Sequence, residues 1–192
     1  IMNHDPKATP SAVLREEHQI ILRVLHVLAK LVERSESGQG FEFEALNKCV
    51  EFFRLFADAC HHAKEEDLLF PVLEARGIPK DNGPIGVMLY EHNIARELTR
   101  QMGGALESMK PGDDTMPPEF REAAHQYINL LSAHIHKEDN VLFMMGDRVM
   151  KSEDQESLCA QFCEVGCRQF EGKKVEQLEA IATDLEAKWL VE

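Results

Sequence analysis

Apolar residues recur every three or four positions along most of the chain, which is the spacing of one face of an α-helix. Four long segments carry this pattern. The first begins at Thr9-Pro10 and stops at the sequence SGQG, and the next three cover about 42–75, 84–109 and 118–150. The alternation of apolar and polar residues that is typical of strands is absent. The sequence therefore predicts an all-α protein.

Two shorter helices are predicted after the fourth. Ser152 and Gln155 have the spacing of a capping box, which marks the start of a helix, and the sequence GKK then separates a sixth helix at about 173–190. Long helices joined by short or moderate loops are typical of an up-down-up-down four-helix bundle. We therefore predict this bundle over 10–150 and a helical appendage of the same domain over 151–192.

Charge and composition exclude some classes of binding partner. The chain has 34 acidic and 21 basic residues, a formal net charge of −13. Nucleic acids and anionic membranes attract basic surfaces, so we expect neither as a partner. The sequence has no apolar run of membrane-spanning length, and its first ten residues, IMNHDPKATP, contain no hydrophobic signal core. The five cysteines lack paired CxxC spacing, which favours reduced thiols and a cytoplasmic location.

Two stretches that resemble each other carry most of the candidate chemistry. Residues 61–70 read HHAKEEDLLF and residues 134–143 read HIHKEDNVLF. Aligned without gaps, they match at five of ten positions, which are His61/His134, Lys64/Lys137, Glu65/Glu138, Leu69/Leu142 and Phe70/Phe143. Residues four apart share one face of a helix. Each copy therefore places a glutamate beside a histidine.

The first copy contains two adjacent histidines, and hydrophobic periodicity does not choose between them. His61 lies on the same helical face as Glu65, and His62 lies on the same face as Glu66. The internal repeat favours His61, because its counterpart is His134, whereas an isoleucine stands opposite His62. We predict His61 and Glu65 as the inward pair, with His62 and Glu66 as the alternative.

The first and third helices each add one histidine on their apolar side. His18 shares its face with Leu14, Ile21, Leu22 and Leu25, and His92 shares its face with Ile85, Met88, Leu89 and Ala95. Inward histidines on four successive helices, two of them with a glutamate one turn on, favour a metal site over isolated core histidines. Buried carboxylates are costly unless they are paired or bound to a metal.

Histidine and carboxylate ligands without a thiolate suit iron, manganese or zinc. Four imidazoles and two glutamates can hold two metal ions, with two histidines on each ion and both glutamates between them. The Glu-x-x-His pattern of ferritin-like proteins and the HExxH pattern of zinc proteases do not match the inward residues.

At these residues the sequence resembles the hemerythrin-like domain, also called the HHE cation-binding domain. The segments REEH, HHAKEEDLLFP, LYEHNIAR and HIHKEDNVLF are similar to its four metal-binding segments, and the resemblance covers roughly 10–148. It implies a four-helix bundle with a non-haem centre of two iron ions, joined by an oxo or hydroxo bridge. The ligands implied by the resemblance are His18, His61, Glu65, His92, His134 and Glu138.

Two positions depart from the pattern of the oxygen-carrying members of that family. Those members place a histidine four residues after the third-helix ligand, where this chain has Arg96. They also use an aspartate as a ligand five residues after the fourth-helix histidine, and the residue at that position here, Asp139, competes with Glu138 for the role. One histidine fewer implies an open, reactive iron pair rather than reversible oxygen carriage. A guanidinium stays protonated and cannot bind a cation, so we expect Arg96 to turn to a carboxylate such as Glu91 or to solvent.

Three functions are compatible with the sequence. The first is a module that senses or handles iron or a small ligand, such as oxygen, nitric oxide or peroxide. The second is an enzyme that reduces peroxide or nitric oxide or repairs damaged iron centres. The third is a metal-free helical interaction domain. The sequence identifies no protein partner, and Cys159, Cys163 and Cys167, spaced four apart, are interpreted as packing residues.

Overall fold

The computed structural model describes residues 9–110 and 113–190, and within these ranges all regular elements are helices. This confirms the all-α prediction. The six helices are α1 (Pro10–Glu36), α2 (43–75), α3 (Pro84–Glu107), α4 (118–149), α5 (Ser152–Gly166) and α6 (Val175–Trp189). None of them combines the length and the apolar character that a membrane span requires.

The helix ends follow local chemistry. Thr9 caps α1, because its hydroxyl accepts a hydrogen bond from the backbone N–H of Ala12 at 3.2 Å. The capping box of α5 starts one residue earlier than the sequence predicts. It uses Lys151 as the cap, and the carboxylate of Asp154, not the side chain of Gln155, accepts from the Lys151 N–H at 2.8 Å.

The second and fourth helices change their winding in the middle. In α2, the segments Phe53–His62 and Glu65–Leu69 are π-helical, and in α4 the segment Glu138–Leu142 is π-helical. The two five-residue segments begin at the matched glutamates of the internal repeat. Single π turns of this kind are frequent at functional sites.

A polar layer divides the apolar core into two clusters. The smaller cluster contains the start of α1 and α3 and the end of α2 and α4, with Leu14, Met88 and Phe143 among its members. The larger cluster contains the opposite ends of the same helices. Each of the pairs α1–α2 and α3–α4 is therefore antiparallel, which is consistent with the predicted up-down-up-down bundle.

Helices α5 and α6 pack on α1 and α2. Asp154 of α5 receives two hydrogen bonds from the guanidinium of Arg76, at 2.7 and 2.8 Å, and Leu178 of α6 belongs to the larger apolar cluster.

The interpretation of the three C-terminal cysteines as packing residues is wrong for two of them, because Cys163 and Cys167 are exposed. The division of the chain near residue 150 stays a prediction.

Candidate metal centre

The polar layer brings two clusters of metal-type side chains together at the centre of the bundle. One consists of His18, His61, Glu65 and Glu138, and the other of His62, Glu65, His92 and His134. Within each cluster, one ligand atom per residue lies within 4.8 Å of the others, and every member is buried. The six residues selected from the sequence therefore meet in one place, and His62 joins them as a seventh.

The two glutamates lie between the histidines. Glu138 Oε2 is 3.2 Å from both His18 Nε2 and His134 Nε2. Glu65 is 3.6 Å from His61 Nε2 through Oε1 and 3.4 Å from His92 Nε2 through Oε2. All four carboxylate oxygens are buried and have no hydrogen-bond partner in the part of the chain that the structure describes. Such oxygens require a proton or a cation nearby.

A carboxylate holds the outer nitrogen of every histidine in the layer. The Nδ1 contacts are His18–Asp139 (2.8 Å), His61–Glu17 (2.9 Å), His62–Asp58 (3.3 Å), His92–Glu66 (2.6 Å) and His134–Glu91 (2.9 Å). In neutral imidazole the proton on Nδ1 is donated to the carboxylate, so the lone pair stays on Nε2. This is how proteins orient histidines toward metals.

Two of these inner nitrogens face each other closely. His92 Nε2 lies 3.0 Å from His134 Nε2. When both Nδ1 atoms carry the proton, both Nε2 atoms present lone pairs, and they repel at this distance unless a proton or a cation lies beside them. The imidazoles therefore give a second reason, independent of the glutamates, to place positive charge in the layer.

Without a bound cation, the side chains of the layer differ in protonation. Burial lowers the pKa of His61 to about 4 and lowers the pKa of His62 well below its usual range, so both rings are neutral near pH 7. Burial and the nearby carboxylate of Glu138 raise the pKa of Glu65 well above its usual range. For Glu138, His134 and His18 outweigh burial and hold the pKa well below its usual range. Metal ligands bind in their deprotonated forms, so a cation bound here would displace the proton of Glu65 and that of His134, whose pKa Glu138 raises to about 9 against the effect of burial.

The structure separates the two acidic neighbours in α4. Glu138 points into the layer and is fully buried, whereas Asp139 contacts the outer nitrogen of His18. Glu66 has the corresponding place in α2, because it contacts His92 Nδ1 and does not enter either cluster. The two acidic residues thus take different positions, with Glu138 inside the layer and Asp139 at the outer nitrogen of His18, and the assignment of Glu138 as the ligand stays a prediction.

Arg96 turns to carboxylates, but not to the one expected from the sequence. Its guanidinium donates to Asp58 at 2.7 Å and to Glu66 at 2.8 Å. Glu91 instead contacts His134 and Lys137. Arg96 therefore links the two carboxylates that hold His62 and His92.

The sequence predicts His61 and Glu65 as the inward pair, with His62 and Glu66 as the alternative, and the structure places both histidines inside the layer and Glu66 outside the two clusters. Both rings are buried, with 1% and 2% of their surface exposed. The helical-face argument assumes α-helical winding, and α2 is π-helical up to His62, which gives a wider turn. Asp58, one turn before His62, was the available signal, because a carboxylate that contacts the outer nitrogen of a histidine is typical of metal sites.

A cavity of about 280 Å³ lies against this end of the layer. Its lining includes His62, the apolar side chains of Phe53 and Ala95, and Tyr127. Arg96 and Asp58 line it as well, so the ion pair that positions His62 also borders the cavity. Arg54, Thr99 and Arg100 complete the lining, so the walls combine apolar and charged side chains.

The chain matches known proteins over the same region. The family model of the hemerythrin HHE cation binding domain matches residues 9–145. The iron-sulfur cluster repair protein YtfE of Edwardsiella ictaluri is 32% identical over 130 residues, which cover 67% of this chain and 58% of the relative, and that of Enterobacter sp. is 34% identical over 132 residues, covering 67% and 59%.

A protein of unassigned role from Mycobacterium tuberculosis, Rv1995, is 25% identical over 165 residues, which cover 86% of this chain and 64% of the relative. The chain thus spans less than two thirds of the length of these relatives. The family model covers well over half of the chain and includes all seven residues of the layer. The chain belongs to the hemerythrin HHE cation-binding domain family.

Proposed function

We propose that this chain is a non-haem iron protein that holds two iron ions in its polar layer. The proposal is carried by Glu65 and Glu138, two buried carboxylates whose oxygens have no hydrogen-bond partner among the described residues. His18 and His61 would hold one ion and His62, His92 and His134 the other. Both glutamates contact histidines of both sides and would be shared, so that the full ligand set would be His18, His61, His62, Glu65, His92, His134 and Glu138.

The donor atoms and the relatives support iron. Imidazole and carboxylate donors suit iron as well as zinc or manganese, so the donor set alone does not choose. Family membership and the name of two of the relatives, iron-sulfur cluster repair protein, favour iron. Bound iron supplies electron transfer and a coordination position for oxygen, nitric oxide or peroxide. The chain's own residues keep five imidazoles oriented and keep bulk water away from the layer.

The number of histidines in the layer no longer speaks against oxygen carriage. The sequence predicts one histidine fewer than in oxygen carriers, because Arg96 stands in place of a ligand. His62 lies in the same cluster as His92 and His134 and restores the number. The expectation of a more reactive pair therefore rests on the unequal sides of the layer, and no longer on a missing ligand.

We infer that the module handles a small ligand at its iron pair. The cavity beside His62 gives such a ligand a binding space next to the layer. The test is to reconstitute the chain with iron under anaerobic conditions, determine the iron content, and titrate with nitric oxide or oxygen while recording the near-ultraviolet spectrum. We expect about two irons per chain and a saturable change. Full iron content with no spectral response to either gas would contradict the handling role.

The names of the relatives favour repair of iron–sulfur clusters as a second function. An enzyme with a [4Fe–4S] cluster, damaged by nitric oxide, would be incubated with the iron-loaded chain. Recovery of its activity faster than with an equal amount of free ferrous iron supports repair, and the Glu65→Ala variant is the control. The metal-free alternative is weakened by the layer itself, because uncompensated buried carboxylates cost several kcal/mol.

A further inference from the structure

The internal repeat extends beyond the metal-type residues to the outer surface of each helix pair. In each pair, a glutamate next to the histidine of the first helix contacts a lysine of the second, as Glu17–Lys64 and as Glu91–Lys137. The residues around these contacts also correspond. The first seat consists of Val13, Glu17, Ile20, Lys64 and Leu68, and the second seat consists of Val87, Glu91, Ile94, Lys137 and Val141.

The first seat is covered by this chain's own helix α5. The ammonium of Lys64 lies 6.0 Å from the ring centre of Phe162, and Val13 shares an apolar cluster with Leu158 and Phe162. Val13 is 2% exposed as a result. Leu158 and Phe162 are four residues apart, so one face of a helix fills the seat.

The second seat is open. Val87 is 46% exposed and Val141 is 50% exposed. They lie side by side, because Val87 is one turn before Glu91 and Val141 is one turn after Lys137 in an antiparallel pair whose Glu91 and Lys137 are in contact. Tyr90 and Met144, on the same turns, are 67% and 45% exposed and enlarge the apolar surface. Patches of this kind mark interaction sites.

We propose that the second seat docks an amphipathic helix of another protein, with two bulky apolar residues four positions apart and basic residues beside them. The apolar spacing follows from the first seat, which Leu158 and Phe162 of the acidic helix α5 already fill. The basic flanks follow from the net charge of −13, which also repels a second copy of the chain. A helix laid in an apolar groove is a common mode of recognition. The inference does not depend on the metal.

The test uses the 192-residue chain and a synthetic peptide. The peptide has the sequence of residues 151–167, with its cysteines replaced by serine and its acidic residues by lysine, and keeps Leu158 and Phe162. We expect saturable binding by calorimetry, weakened about tenfold or more by Val87→Asp or Val141→Asp in the chain. A peptide with serine in place of Leu158 and Phe162 is the matched control, and iron content should be the same in all chain variants.

Three outcomes would overturn the proposal. The first is no detectable binding at millimolar peptide, and the second is binding that Val87→Asp and Val141→Asp leave unchanged. The third is a dimer of the chain in sedimentation that the same substitutions dissociate, because the seat would then belong to a second copy. Equal affinity for the peptide that retains its acidic residues would contradict the basic character of the partner, and weaker binding at high salt would support it.

Discussion

The α1–α2 half of the bundle and the α3–α4 half place the same polar side chains in the same relation to one another. His61 Nδ1 contacts Glu17 at 2.9 Å, and its counterpart His134 contacts Glu91 at 2.9 Å. Across the halves, Phe143 stacks on His18 at 5.5 Å and Phe70 stacks on His92 at 5.9 Å between ring centres. An approximate two-fold relation thus builds the layer from two similar helix pairs.

The halves differ in one inward residue and in whether helix α5 covers their outer surface. His62 has Ile135 as its counterpart, so one side of the layer has three histidines and the other has two. Helix α5 buries Lys64, whose side chain is 4% exposed, whereas Lys137 is 38% exposed. The shared residues form the polar layer, and the differences make its two sides unequal in their histidines and in their access to solvent.

The largest effect should come from the shared glutamates. We expect Glu65→Ala and Glu138→Ala to lose most of the bound iron, and to a similar extent, because each carboxylate lies between histidines of both clusters. Metal analysis after anaerobic reconstitution checks this. Glu16→Ala, at an exposed position next to Glu17, is the control and should keep its iron. Retention of two irons by either inward variant would show that the carboxylates do not bridge.

Replacing His62 by isoleucine would give both halves the same inward residues. We expect His62→Ile to weaken the binding of one iron at least tenfold and to leave the other in place, because only one cluster contains His62. Iron titration should then show about one tight site. His136→Ile, at an exposed position in α4, is the matched control. Equal weakening of both sites would mean that His62 serves the whole layer.

Lys64 and Lys137 make equivalent ion pairs, but helix α5 covers only the first. Replacing each lysine in turn therefore separates the effect of burial on stability from the effect of charge. Lys64→Met leaves Glu17 buried without its cation, and we expect a loss of about 3–5 kcal/mol in the free energy of unfolding. Lys137→Met breaks the equivalent pair at a more exposed place, where the loss should be about 1 kcal/mol or less. Urea unfolding of the iron-loaded variants gives both numbers. Similar losses would mean that α5 does not shield the first pair from water.

The equivalent histidines His61 and His134 should act on acid stability with opposite sign once iron is removed. Burial lowers the pKa of His61 to about 4, so its contribution is present above 6.5 and is lost as the pH falls from 6.5 to 4. Glu138 and Glu91 outweigh burial and raise the pKa of His134 to about 9, so its contribution is present below 6.5 and is lost as the pH rises from 6.5 to 9.

Each contribution is on the order of 3 kcal/mol. Unfolding of the chelated protein as a function of pH tests them. His61→Asn should flatten the acid side of the stability curve, and His134→Asn should flatten the alkaline side. If both substitutions flattened the same side of the stability curve, these two histidines would not account for the difference between the halves.

The positions of the helices and the inward residues could be predicted from the sequence because they depend on periodicity and on the internal repeat. The helical faces could not choose between His61 and His62, because a face is defined by α-helical winding and α2 is π-helical up to His62; the signal for His62 was Asp58 in the same helix. The carboxylates that contact the outer nitrogens of the other four histidines could not be predicted, because each lies on a different helix from its histidine. The contacts Glu17–His61 and Glu91–His134 join different helices, and their geometry follows from how those helices pack.

The five-residue π segments that begin at Glu65 and Glu138 have a meaning for alignment. A π turn closes its hydrogen bond over one residue more than an α turn, so each segment behaves as a one-residue insertion in a helix. One residue corresponds to about 100° of rotation. The apolar residues before and after each glutamate therefore lie on helical faces that are rotated relative to each other. A structure built from an alignment that deletes this residue would place Phe70 or Phe143 on the wrong face of its helix, away from the histidine on which it stacks.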